Sequence, residues 1–268
     1  MGTKVGCIGG GNIVRAILSG VALSKNYQTN EIGIYDINPD VLADYRTKGY
    51  QTYESIEELV ENSEIVVVAV LPQIIRSIMP QVQPVYSNKN VFITLAAGIS
   101  TEWFSENLGN DAKVVQCVPT LTAQVGMGAY AVARGKALNE DDYQKAEHFL
   151  TSSGIVEEMP TELIDDIIPF GGAAPAYFYH IADVIVKEAE GMGIDGNTAL
   201  QIFAQTMKGS AEMLMTATES PKDLEKKLLL PGAATLAAIN KMVDMGFDET
   251  WSEGIKACVA QAKNLGKL

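Results

Sequence analysis

The residues best suited to chemistry stand where apolar runs give way to helical patterns through glycine. In "KVGCIGGGNIVRA" a strand-like run ends at Gly9, Gly11 follows two positions on, and a helical pattern begins at Asn12 and Ile13. The first glycine permits a tight turn, and the second lets a phosphate approach the main chain. The N–H groups and positive dipole end of the helix then attract it. The third position of this fingerprint, usually Gly or Ala for close helix packing, is Val14. Asp36, 22 residues beyond Val14, closes the run "EIGIYD". A carboxylate there accepts hydrogen bonds from both ribose hydroxyls and repels a 2′-phosphate. These residues point to a dinucleotide, NAD(H) in preference to NADP(H), with NADP(H) still possible. The simpler use of Asp36 is to cap a turn together with Asn38.

A second such place is "LLLPGAATLAAI", where Pro231, Gly232, Ala233, Ala234 and Thr235 interrupt two apolar runs. A helix starting here offers backbone N–H groups to a small anion, whatever the net charge of the chain.

Positioning these residues requires two kinds of architecture. Up to about residue 160, short β-rich runs ("KVGCIGG", "EIGIYD", "EIVVVAV", "NVFITLAA", "KVVQCVP", "GAYAVARG", "GIVEEM") alternate with helical segments. Most of these runs are continuously apolar, as in a sheet covered on both faces. Between them, "NIVRAILSGVALS" and "PDVLADYRTKG" carry one apolar helical face each, and Ser55 with Glu58 has capping-box spacing. From Pro169 onwards everything reads as helices, broken near "GMGID", "TESPKDL", "LPGAAT" and "DMGFDE". The expected fold is α/β: a Rossmann-type dinucleotide-binding domain over residues 1–160, followed by an all-helical domain over 161–268.

The 268 residues, 47% of them hydrophobic, suffice for two cores without covalent staples. Cys7, Cys117 and Cys258 are odd in number, far apart and without metal-ligand spacing, which fits a reducing, cytoplasmic setting better than a disulfide framework. The opening residues lack the basic-then-apolar pattern of a signal peptide, and the apolar run over 65–72 is far shorter than the ~18 residues of a membrane span. A net charge of −13 without a Lys/Arg cluster disfavours nucleic acid. The carboxylates of "EEMPTELIDD" have no His or Cys at ligand spacing, so they are expected on a solvated interdomain surface rather than around a metal. Cys117 has no basic neighbour to activate it.

The chain resembles the pyrroline-5-carboxylate reductase family along nearly its whole length. "IGGGNIVRAILSG" is similar to that family's "GGGNMAEALIGG", "AVLPQ" to "AVKPQ", and "LAAGIS" to "SxxAGI". The more specific blocks are "GGAAPAYFYHIADV", similar to "SGSGPAYVFLFIEA", and "LPGAATLAAINKM", similar to "SPGGTTIAGLEVL".

The resemblance implies a helical domain that dimerises, an active site between the domains, and reduction of the imine of a pyrroline carboxylate to proline. It implies that Pro231, Gly232, Ala233, Ala234 and Thr235 hold a small anionic imine substrate, with the Thr235 hydroxyl donating to the ring nitrogen or carboxylate. Ala69, Leu71, Pro72 and Ala97 then fall along the nicotinamide. A purely structural Thr235 would cap a helix beginning at Leu236. No catalytic histidine is required. His148 is expected on the surface, and His180 in helix packing or facing the pocket. The apolar-rich helices are expected to self-associate as a homodimer or larger assembly.

Departures from the family pattern gather in the implied pocket. Leu230 stands in place of Ser, Ala233 and Ala234 follow Gly232, and Gly171, Gly172, Ala173 and Ala174 replace "SGSG". Gln116, Val118 and Thr120 replace Arg, Met and Asn of "RxMPN", and Leu71 replaces Lys. A less polar pocket leaves open a different imine, a hydroxy acid, or a nucleotide-binding regulatory protein without turnover. A hydroxy-acid enzyme would need a lysine base, and Lys187 lies about four helical turns beyond Gly172.

Overall fold

The computed structural model describes residues 2–265; Met1 and residues 266–268, the outermost positions of the two expected domains, lie outside the described residues. The first part of the chain runs β1 (Thr3–Ile8), α1 (Asn12–Ser24), β2 (Ile32–Tyr35), α2 (Pro39–Thr47), β3 (Gln51–Thr52), α3 (Ile56–Glu61) and β4 (Ser63–Val68). It continues through α4 (Pro72–Val82), β5 (Val91–Thr94), α5 (Thr101–Leu108), β6 (Val114–Val118), β7 (Gly128–Arg134), α6 (Glu140–Thr151) and β8 (Gly154–Glu158). The helices α7 (Ala174–Gly191), α8 (Gly196–Thr216), α9 (Pro221–Lys226), α10 (Ala234–Asp244) and α11 (Phe247–Leu265) follow.

The strands form one 8-stranded sheet in the order β3-β2-β1-β4-β5-β6-β7-β8. All pairings are parallel except β6 with β7. The apolar runs are continuous because both faces are covered. Alternate residues Val5, Cys7, Ile65, Val67 and Ile93 pack with Ile17 and Val21 of α1 and Phe149 of α6. Ile8, Val66, Val68 and Phe92 face the opposite way, onto Leu59 of α3, Ile75 of α4 and Phe104 of α5. The two-residue β3, paired with β2, was not legible as an apolar run because its sequence is only Gln51 and Thr52.

Local chemistry sets the helix starts. Ser55 accepts from the Glu58 N–H at 3.1 Å, as the capping spacing requires, while the Glu58 carboxylate accepts from the Glu54 N–H at 3.3 Å, one residue before the cap itself. Asn38, Ser100 and Asn139 cap α2, α5 and α6 by accepting N–H groups of the first turn.

The chain divides into two compact units. One contains the sheet, Met1–Pro175 with Cys258–Leu268; the other is Ala176–Ala257. The segment over residues 161–175 and the end of α11 therefore pack with the sheet, where Lys263 pairs with Asp166 at 2.6 Å.

Candidate functional site

The sheet order reverses between β1 and β4, so the turns leaving their carboxyl ends diverge and leave a crevice. Gly9, the first residue past β1, has φ +97, and a Cβ on it would lie 2.8 Å from the Ala69 carbonyl oxygen. Only glycine tolerates both conditions. Gly10 is the close-packing residue, since a Cβ there would come within 2.8 Å of Tyr45 and Val41 side-chain atoms. Val14 itself lies in the core at 1% exposure, and the close approach at this turn is that of α2 to Gly10. Gly11 is the N-cap of α1, and a Cβ on it would meet nothing within 4 Å. The helix has no side-chain cap and no acidic residue in its first turn. Its leading N–H groups and dipole end are uncompensated by the protein, as an anion site needs.

A cavity of about 760 Å³ opens in front of this turn. Gly9, Gly11 and Ile13 line it from β1–α1, Asp36 from β2, Ala69, Leu71 and Pro72 from β4–α4, and Ala97 from the loop after β5. Asn12, placed with them by sequence, begins α1 but is not among the lining residues. Sequence reasoning missed the face of α4 formed by Ile74, Ser77, Ile78 and Gln81, which also lines the cavity. Their spacing is helical from Pro72 onwards and marks one face of that helix. Ile37 and Ile56 complete an apolar wall beside Asp36.

Asp36 is the one charged residue among those described around the cavity. One carboxylate oxygen accepts from the Gly10 N–H at 2.8 Å and the other from the Asn38 N–H at 2.9 Å. Asp36 thus caps the turn, the simpler of its two expected uses, and also stands at the cavity wall. A carboxylate has lone pairs beyond these two bonds, so it can still accept ribose hydroxyls. The nearby cation Arg15 is engaged elsewhere, bonded to Asp44 and stacked on the Tyr45 ring at 5.1 Å. Hydrogen bonding to Asp44 raises the Arg15 pKa.

Beyond β6, Thr120 is buried, and its hydroxyl accepts from the Ala129 N–H at 2.9 Å and bonds the Thr122 hydroxyl at 2.7 Å. Its methyl group faces Gly171, with Thr120 Cγ2 3.8 Å from a Cβ built there. Gly172 approaches the Pro119 carbonyl in the same way, at 3.4 Å from a built Cβ. Ala173 and Ala174 then turn the chain into α7. Gln116 is 3% exposed, and its Oε1 has no hydrogen-bond partner among the described residues.

The other glycine break lies in the helical unit. The Ala233 N–H donates to the Leu230 carbonyl at 3.0 Å across Pro231 and Gly232, and Gly232 has φ +79: a type II turn. Ala233 is the N-cap and α10 starts at Ala234, so Thr235 is the second helical residue. A cap role for Thr235 before a helix at Leu236 is thereby excluded, because the helix begins two residues earlier. No side chain caps α10 and no acidic residue occupies its first turn. Pro231, Gly232, Ala234 and Thr235 are exposed and Ala233 half-buried.

Two family models match parts of the chain. Residues 161–265 match the model described as pyrroline-5-carboxylate reductase dimerisation, and residues 4–98 match that described as NADP oxidoreductase coenzyme F420-dependent. Pyrroline-5-carboxylate reductase 3 of Xenopus laevis is 27% identical over 98% of this chain and 96% of its own. The pyrroline-5-carboxylate reductase of Synechocystis sp. is 28% identical over 100% of both. The crystal structure of Plasmodium falciparum pyrroline carboxylate reductase with NADP bound superposes with a TM-score of 0.90 at 23% identity, covering 98% of each chain. Over nearly its whole length the chain is similar to the pyrroline-5-carboxylate reductase family.

Within the pyrroline-5-carboxylate reductase family frame, several residues find other uses. Thr120, standing where the family has Asn, spends its hydroxyl inside its own loop. Burial pushes the Cys117 thiol far up, which removes it as a nucleophile at neutral pH. His148 is exposed beside Tyr27, with ring centroids 5.8 Å apart, and His180 is exposed on α7. Lys187 is held by Asp183. The stretch "EEMPTELIDD" matches the solvated surface expected of it only in part: Glu157, Glu158 and Glu162 are exposed, but its second half turns inwards. Ile164 is buried, and the half-buried Asp165 accepts from the Gly98 N–H at 3.2 Å. The apolar residues interleaved with the carboxylates draw the segment onto the sheet unit. No group of three potential metal ligands occurs among the described residues, and no helix among them is long and apolar enough to cross a membrane.

Proposed function

We propose that this chain is an NADH-dependent reductase that converts 1-pyrroline-5-carboxylate to L-proline. The observation that carries this reading is the crevice at the β1/β4 reversal, with an open glycine N-cap in front of α1 and a carboxylate as its sole charge among the described lining. Residues 1–160 form the dinucleotide-binding domain in this reading, and 161–268 the dimerisation and substrate domain. Gly9, Gly11, Asn12 and Ile13 receive the pyrophosphate, Asp36 the adenosine ribose, and Ala69, Leu71, Pro72 and Ala97 the nicotinamide end.

A bound reduced nicotinamide supplies the hydride. The chain's own task is orientation and exclusion of water, since a protonated cyclic imine is already electrophilic. Pro231, Gly232, Ala233 and Ala234 present the substrate carboxylate with the first N–H groups of α10, whose small side chains permit close approach. Thr235 donates its hydroxyl to the substrate. Two chains associate through the helical unit as a homodimer or larger assembly, in a cytoplasmic setting that suits three free cysteines.

Preference for NADH rests on Asp36 and on the lack of any Lys or Arg in the described cavity lining. NADP(H) is the alternative. Steady-state oxidation of NADH and NADPH with 1-pyrroline-5-carboxylate tests both halves of the proposal, with proline formed one-to-one with cofactor consumed. The expected kcat/KM is higher with NADH, and Asp36→Ser should narrow the ratio by roughly tenfold, the ~1.4 kcal/mol typical of one hydrogen bond to a charged group. Binding of NADH with no turnover on any cyclic imine would instead favour a regulatory protein.

A further inference from the structure

The loop after β5, residues 95–99, walls one side of the cavity through Leu95, Ala96 and Ala97. Most of its backbone donors find partners close by. The Leu95 N–H donates to the Val68 carbonyl at 3.0 Å, the Ala96 N–H to the Thr94 hydroxyl at 3.4 Å, and the Ile99 N–H to the Ala96 carbonyl at 3.3 Å. Gly98 differs. It sits at φ +74, and its N–H reaches the Asp165 carboxylate, 67 positions along the chain. Asp165 belongs to the segment that leads directly into Gly171 and Gly172, which pack against the end of β6.

We propose that Asp165 is a positioning residue for the nicotinamide end of the cofactor, holding the left-handed turn at Gly98 so that Ala96 and Ala97 form a fixed wall. This rests on the cavity being the cofactor site. A loop whose wall is not fixed must be ordered when the cofactor binds, and that cost appears as lost affinity. The bond is charge-assisted, and its half-buried acceptor makes it stronger than a solvated one. The groups acting on Asp165 are few: burial raises its pKa, the Gly98 N–H lowers it, Asp166 raises it, and Lys263 lowers it. Lys263 is itself paired with Asp166. Acid therefore weakens the Gly98 bond by protonating Asp165 before ordinary carboxylates.

The test is equilibrium titration of the full-length protein with NADH and NADPH, followed by cofactor fluorescence from neutral pH towards acid. Thermal melts of each variant accompany it. Asp165→Ala should weaken NADH binding by roughly tenfold, the loss of one charge-assisted hydrogen bond. Asp165→Asn keeps an acceptor and should bind NADH within about twofold of the parent at neutral pH. The parent's affinity should fall towards acid, whereas that of Asp165→Asn should stay flat. Asp166→Ala, which removes the ion pair with Lys263 but keeps the Gly98 bond, should leave NADH affinity at neutral pH unchanged. Parental NADH affinity in Asp165→Ala overturns the proposal. So does equal weakening in Asp165→Asn and Asp165→Ala alongside lowered melting temperatures, which marks a purely structural role. A parent protein that binds neither NADH nor NADPH overturns the cofactor reading, and this proposal with it.

Discussion

The sheet unit and the helical unit use apolar residues in opposite ways. In the first, Phe92, Phe104, Phe149 and Ile34 are all at 0% exposure, sealed by the unit's own helices. In the second, α8 and α10 bury no residue at all, and Ile202, Met213, Leu214, Met215 and Met245 remain 54–74% exposed. A unit with a complete core is a finished object. A helix with large exposed apolar residues is one side of an interface. On the proposed function, cofactor chemistry belongs to the part with a complete core, and assembly to the part whose helices expose apolar residues.

Single substitutions sharpen this contrast, beginning with the largest effect. Phe92→Ala should cost ~3–5 kcal/mol at any protein concentration, because it empties a site that only the same chain fills. Ile202→Asp on α8 should do the opposite. An exposed site in an isolated chain costs within about 0.5 kcal/mol, but in an assembly the loss grows as the protein is diluted. Chemical denaturation at several protein concentrations separates the two, and matching concentration dependence would break the comparison.

Gly11→Val should follow, raising the NADH dissociation constant by roughly a hundredfold, ~2.7 kcal/mol. Its side chain would stand where phosphate approaches α1, while φ −71 is ordinary backbone that leaves the melting temperature almost unmoved. At most as large, Thr235→Ala should lower kcat/KM by roughly ten- to a hundredfold, ~1.5–2.7 kcal/mol for a hydrogen bond to a charged group. Thr235→Ser should retain activity. Since Thr235 lies inside α10 rather than at its cap, the alanine variant should also keep its stability, because Ala is the better helix former. Parental turnover in Thr235→Ala would leave the backbone N–H groups as the whole substrate site.

Much of this was legible in the residues. The alternation of apolar runs with one-faced helices marked the doubly covered sheet, and α1 spans the same residues as its apolar pattern, Asn12–Ser24. Gly9, Gly11 and Asp36 announced the crevice because each answers a local backbone or charge requirement. What stayed hidden depends on contacts distant in sequence. The glycine motif did not show that Gly10 is the residue pressed against Tyr45 and Val41. The α4 face of Ile74, Ser77, Ile78 and Gln81 is marked in the sequence only by helical spacing, which does not say what that face lines. Asp165 sat in an acidic stretch that composition alone assigns to solvent, and only the chain's return to Gly98 gives it work.

The division of labour between the units is tested most directly by sedimentation equilibrium of the full chain across nanomolar to micromolar concentrations, with circular dichroism on the same samples. The account predicts a mass of at least two chains wherever the full helical signal persists, and on dilution loss of the part contributed by α7 to α11 together with the mass, while the part from α1 to α6 remains. A well-folded monomer at micromolar concentration, its α7, α8 and α10 faces stable in water, would contradict it.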